Sequence, residues 1–147
     1  MGTRSLTFIL EKPHRDVTTT LACIYRQYDG YPEGHGMDLF EKFGDFQLCN
    51  GFGGGDNSKL ANGMGCLGAQ IVDHLKEGIG NIYLVPVIAK DMWEEFVYEI
   101  YPNAENKICM RVNVVHLEPK YELETIHRGL LSEYGDWIKT QIPDKEE

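Results

Sequence analysis

Hydrophobic and polar positions divide the chain into short segments of changing period. Thr3 to Glu11 alternates and is rich in β-branched and aromatic residues, and Val17 to Gln27 is similar. With the polar turn Lys12-Pro13-His14-Arg15-Asp16 between them, these segments predict an antiparallel hairpin. Met37, Leu39, Phe40 and Phe43 place apolar residues on one side of a short helix that Gly44 ends. A brief strand is expected over Phe46 to Asn50. Met64, Leu67, Ile71, Val72 and Leu75 fall on one face of a second helix, with Asn62 placed as its N-cap and its end near Gly78-Ile79-Gly80. Asn81 to Val87, Glu94 to Tyr101 and Lys107 to Val115 read as strands, and the last two are joined by a turn over Pro102 to Asn106. Glu122 to His127 reads as a last short strand, and Leu131 to Thr140 as a C-terminal helix.

Strands outnumber helices and gather toward both ends of the chain. This pattern predicts an α+β fold, a mostly antiparallel sheet with two to three helices packed on one face. The 147 residues are 42% hydrophobic and 25% charged, ordinary for a globular chain. Residues 1–142 are expected to form one domain and 143–147 a charged, frayed tail. The longest apolar runs are far too short to span a bilayer, and the first residues hold no leader-like hydrophobic stretch. Leu6 stands where a myristoylation motif wants Ser or Thr. These features predict a cytoplasmic protein. Cys23, Cys49, Cys66 and Cys109 are widely spaced, so free thiols in a reducing compartment are expected.

Charge narrows the possible partners. A net charge of −9 opposes binding of extended nucleic acid, which needs a basic stripe. The excess is uneven: residues 1–35 balance, whereas from Glu118 onward eight acids face four bases. A small anion can still be drawn locally to Arg4 and Arg26. The hairpin would bring these to the same end of the sheet as a clamp.

The densest chemistry lies in Arg26-Gln27-Tyr28-Asp29-Gly30-Tyr31-Pro32-Glu33-Gly34-His35-Gly36. Glycine and proline fix an irregular backbone there, and loops on a rigid scaffold are where binding groups tend to sit. A second glycine-rich loop, Gly51-Phe52-Gly53-Gly54-Gly55-Asp56-Asn57-Ser58, leads toward the second helix. Free backbone N–H groups before a helix can bind an anion. Neither a P-loop nor a dinucleotide fingerprint is present. Tyr28 and Tyr31 are placed to stack on a base, whereas Tyr25 reads as core. Phe52 also reads as core but stays a ligand candidate because of its loop. The helix glycines Gly63, Gly65 and Gly68 imply either close packing on the sheet or close approach of a ligand.

The ligand-binding set is therefore Arg4, Arg26, Gln27, Tyr28, Asp29, Tyr31, His35, Phe52, Gly53, Gly54, Asn57 and Asn62. Asp29, Glu33 and His35 form an alternative acid–base set for a hydrolase. A metal held by Asp29, His35 and Asp38 matches no standard ligand spacing. No Ser or Cys nucleophile stands beside a base in a recognisable signature. No cofactor and no metal is expected, and His74 is expected at or near the surface.

Three segments carry a resemblance: Met1-Gly2-Thr3-Arg4-Ser5-Leu6-Thr7, Tyr25 to Gly36, and Ala61-Asn62-Gly63-Met64-Gly65-Cys66-Leu67 with Ala69-Gln70. Over residues 1–88 the chain resembles a family of small, largely uncharacterised proteins of bacteriophages, prophages and bacteria. The resemblance transfers no activity. Its phage context implies a counter-defence factor, a sponge that sequesters a nucleotide-derived second messenger of bacterial immunity. Such a protein needs arginines, backbone amides and stacking rings, without a nucleophile, and is expected to work as a homo-oligomer. A third reading is a protein-binding inhibitor that uses its acidic surface.

Overall fold

A computed structural model describes residues 2–51 and 55–141. Its centre is a six-stranded sheet built from β1 (Ser5–Leu10), β2 (Thr20–Arg26), β5 (Ile82–Val85), β6 (Phe96–Pro102), β7 (Ile108–His116) and β8 (Glu122–Leu130). The strand order is β5-β2-β1-β6-β7-β8. Every neighbouring pair is antiparallel except β1 with β6, so the expected α+β architecture holds. All six residues of β1 are buried, because this strand has neighbours on both sides and is covered on both faces. Gln47–Cys49 (β3) and Leu60–Asn62 (β4) form a separate parallel pair.

Helices α1 (Met37–Phe43), α2 (Gly63–Leu75) and α3 (Tyr134–Gln141) cover one face. Ile9, Ile24, Tyr98, Ile100, Met110 and Val112 from the sheet meet Leu39, Phe43, Leu67, Ile71, Tyr134 and Ile138 there. Alternation sends Leu6, Phe8, Cys23, Val97, Tyr101 and Cys109 to the other face, where Ala89 and Met92 of the β5–β6 connection pack on them. Glu94 orders that connection by accepting from Asp91 N, Met92 N and the Tyr121 hydroxyl. The four cysteines are free thiols. Among the described residues, no helix is long and apolar enough to cross a membrane.

Four expectations are revised. The second strand begins at Thr20 and not at Val17. Asp16 Oδ1 instead accepts from Thr18 N at 2.8 Å, the Thr18 hydroxyl at 2.6 Å and Thr19 N at 3.0 Å. This side chain–backbone turn outcompetes the strand that β-branched residues would otherwise favour. The final strand extends to Leu130, since β7 pairs along its length across a bulge beyond Val112. Leu60–Asn62 forms a strand, β4, that the sequence pattern does not predict, and Pro32–Gly36 winds into a π-helical turn where an irregular loop is expected. Asn62 does precede α2 but makes no side-chain cap bond. The tail at 143–147 lies outside the described residues.

The outer edge of β5 is closed at its Ile82 end. Asn81 O accepts from Gln27 N, which sets an alternation turning the amides of Ile82 and Leu84 away from β2. Ile82 N donates to Gly80 O, and Lys76 Nζ donates to Ile82 O at 3.0 Å. Pro86 has no N–H to offer beyond them.

Candidate functional site

Local sequence explains how the Arg26–Gly36 segment is held. Asp29 adopts a left-handed backbone (φ 62°), which aspartate tolerates better than most residues. The chain then turns back beneath Tyr31, and Pro32 begins the π-helical turn at a position where its missing N–H costs nothing. Two buried tyrosines anchor the segment from below. The Tyr98 hydroxyl donates to Gly30 O and the Tyr134 hydroxyl to Pro32 O, each at 2.7 Å. Gly36 lies where any Cβ would collide with the Tyr134 hydroxyl, and a Cβ on Gly135 would lie 2.7 Å from Phe40. These two glycines bring the turn, α1 and α3 together.

His35 is completely buried, with its ring edge-on to Tyr98 at 4.6 Å. Arg26 Nη1 lies 3.0 Å from its Nδ1, and Thr7 Oγ1 lies 2.7 Å from its Nε2. A guanidinium can only donate, so Nδ1 accepts and Nε2 carries the proton donated to Thr7. Burial, reinforced by the nearby Arg26 charge, pushes the imidazole pKa down to about 3. Arg26 also donates from Nε to Tyr28 O at 2.9 Å and from Nη1 to Asp38 Oδ2 at 3.5 Å. Asp38 Oδ1 lies 2.8 Å from His74 Nε2 on α2. A continuous chain therefore runs from Thr7 through His35, Arg26 and Asp38 to His74.

Above this chain opens a cleft of about 640 Å³ between the π-helical turn, α1 and α3. Its walls include Arg26, Asp29, Tyr31, Glu33, Asp38, Phe40, Glu41, Asp136 and Lys139. Five carboxylates thus face one guanidinium and one ammonium. Carboxylates and rings together suit a ligand rich in hydroxyl and amino groups, with a flat part to lie against Tyr31 or Phe40. Oxygen-rich walls do not by themselves hold a metal, and among the described residues no group of three or more His, Cys, Asp or Glu is arranged to do so.

Of the sequence-derived candidates, Arg26, Asp29 and Tyr31 meet in this cleft together with Glu33. His35 supports it from beneath. Gln27 turns to the sheet edge, where its Oε1 accepts from Asn81 N at 3.1 Å and lies 3.5 Å from the Tyr83 hydroxyl. Tyr28 is exposed and lies against the backbone of Gly2. Arg4 does not line the cleft, and strand alternation groups it with Leu6 and Phe8 on the face opposite Arg26. The two arginines share an end of the sheet without forming a clamp. The acid–base set does not assemble either, because His35 points inward.

Gly51, at the start of the second glycine-rich stretch, lies elsewhere. Asn62 Oδ1 accepts from Gly51 N at 2.7 Å, at the N-terminal end of α2, whereas His74 reaches Asp38 from its last turn. Twelve residues of helix separate these points by about 18 Å. Asn57 belongs to that distant region, and Phe52, Gly53 and Gly54 lie outside the described residues. The helix glycines divide between causes: Gly63 has φ 84°, while a Cβ on Gly68 would crowd Ile9 at 3.2 Å. Sequence reading missed the α3 wall and the Asp38–His74 link. The spacings Met37/Phe40/Glu41 and Asp136/Lys139 were the available signal, since residues three and four apart share a helix face.

No protein-family model, curated protein or solved structure matches the chain.

Proposed function

We propose that this protein binds a small nucleotide-derived molecule in the cleft beside Arg26 and holds it without chemical change. One observation carries the reading: the groups facing the cleft are recognition groups, while the imidazole of the same segment is buried and committed to Thr7 and Arg26. A general base must come within hydrogen-bond reach of its substrate, and His35 has no exposed surface with which to do so. The hydrolase alternative is correspondingly weakened.

The five carboxylates narrow the ligand. They suit ribose hydroxyls and exocyclic amines, with Tyr31 or Phe40 against the base and Arg26 at a single phosphate. A ligand with several phosphates would be repelled. A cyclic or singly phosphorylated nucleotide, or a nucleoside-like messenger, fits this balance best. The resemblance to phage proteins supports sequestration in the host cytoplasm as the biological role. A second subunit, as in most soluble assemblies, would close the open cleft.

The test is to incubate the protein with cyclic mononucleotides, cyclic ADP-ribose and nucleosides, remove unbound ligand, and release the remainder by heating. Intact ligand is expected. Asp29→Asn and Tyr31→Ala should each weaken binding at least tenfold in calorimetry. Failure to retain any of these compounds, or recovery of cleaved product, would overturn the proposal.

A further inference from the structure

One cross-strand row on the face opposite the helices carries charges that do not balance. The pairings place Cys23 beside Phe8, Phe8 beside Glu99, Glu99 beside Arg111, and Arg111 beside Arg128. Arg15 reaches into this row from the β1–β2 turn, with its guanidinium 3.9 Å over the Phe8 ring and its Nε 2.5 Å from Glu99 Oε2. Arg111 Nε donates to Glu99 Oε1 at 2.6 Å, and its Nη2 donates to Pro13 O at 2.7 Å. Asn113 Nδ2 also reaches Glu99 Oε1, at 3.3 Å. One buried carboxylate is thus saturated by two guanidiniums and an amide.

Charge alternates along the row until its last step, where two arginines stand directly opposite each other on β7 and β8. Directly opposed like charges destabilise a sheet. Among the described residues, no carboxylate pairs with Arg128, which is exposed at the sheet margin. The charges felt by the adjacent Tyr101 hydroxyl come from Arg111, Cys109 and Arg128, with no carboxylate among them. Glu133 acts on His127 and on Cys109, a thiol that Arg111 also reaches. Three guanidiniums against one carboxylate leave two positive charges, in a chain whose net charge is −9.

We propose that Arg111 and Arg128 form a binding site for a phosphate dianion, presented as a phosphate monoester on a small molecule. A phosphate monoester carries about −1.5 to −2 charge at neutral pH, which matches the excess, and its oxygens suit the planar donors of guanidinium groups. Half-buried, pinned by Glu99 and Pro13 O and lying 4.6 Å over the Tyr101 ring, Arg111 supplies a fixed half of the site, and exposed Arg128 closes over the ligand. The site lies across the sheet from the Arg26 cleft and does not depend on the reading of that cleft.

Inorganic phosphate, titrated into the full chain and followed by calorimetry at low ionic strength, is the probe. Saturable binding is expected. Arg128→Gln should weaken it at least tenfold, and Lys42→Gln, which removes one cation from α1, should leave it unchanged. In phosphate-free buffer Arg128→Gln should melt higher than the parent, because the opposed charges are relieved, and added phosphate should stabilise only the parent. Absence of saturable binding at tens of millimolar phosphate would overturn the proposal. So would equal binding by Arg128→Gln, or equal weakening by Lys42→Gln.

Discussion

The neutral imidazole of His35 ties folding to pH. In the unfolded chain this ring takes a proton near pH 6.5, whereas in the fold it does so only at about 3. Between those values the unfolded state binds the extra proton, so stability is complete above pH 6.5 and falls as the pH drops toward 3. The slope is at most about 1.4 kcal/mol per pH unit. His127, whose affinity for a proton is also lowered by burial, adds to it in the same direction. Urea midpoints measured from pH 7 to 5 should fall more steeply for the parent than for His35→Gln, and parallel lines would refute this role. Gly36 is equally constrained: Gly36→Ala should lower stability by about 1–3 kcal/mol, read from denaturant curves, because the methyl must displace the Tyr134 hydroxyl. The sequence marked this segment as special through its glycine, proline and polar density. It did not reveal that His35 points inward, since an irregular backbone has no period from which to infer a face.

At the scale of elements, period carried most of the information. α1, α2 and α3 repeat their apolar residues at helical spacing, and all three were legible. Strand β1 was legible too, but its parallel pairing with β6 was not, because no local pattern records which distant strand will lie alongside. Leu60–Asn62, following a polar and glycine-rich stretch, has no alternation from which to expect β4, and Thr18 and Thr19 looked like strand until the Asp16 turn claimed them. The Arg15–Glu99–Arg111 cluster depends on the same long-range pairing and joins the β1–β2 turn to β6 and β7. Burial raises the Glu99 pKa, but hydrogen bonds and charge from Arg111 and then Arg15 outweigh it, leaving the carboxyl below its usual range. Its contribution is therefore present above about pH 4.5 and lost as the pH falls through the lowered value. Glu99→Gln should cost about 3–5 kcal/mol in urea unfolding, because two guanidiniums lose their counter-charge.

Across the whole molecule, α2 keeps the Arg26–Gly36 segment and Gly51 apart, one toward each end. The similar composition of the two glycine-rich segments suggested a joint site, and composition cannot report distance. The sheet also has two unlike margins. β8 is lined with Glu122, Glu124 and Arg128, whereas β5 offers Ile82, Tyr83, Leu84 and Val85 with no charge of its own. Bare margins of that kind recruit further strands unless something blocks them. Here the block combines Ile82 N on Gly80 O, the missing N–H of Pro86 and one ammonium, with Lys76 Nζ on Gly80 O and Ile82 O. Neutralising that one group, by Lys76→Gln or by acetylation, should turn a concentrated solution of this acidic chain from clear to light-scattering. Colloidal behaviour would then hinge on one side chain that belongs to neither proposed ligand site.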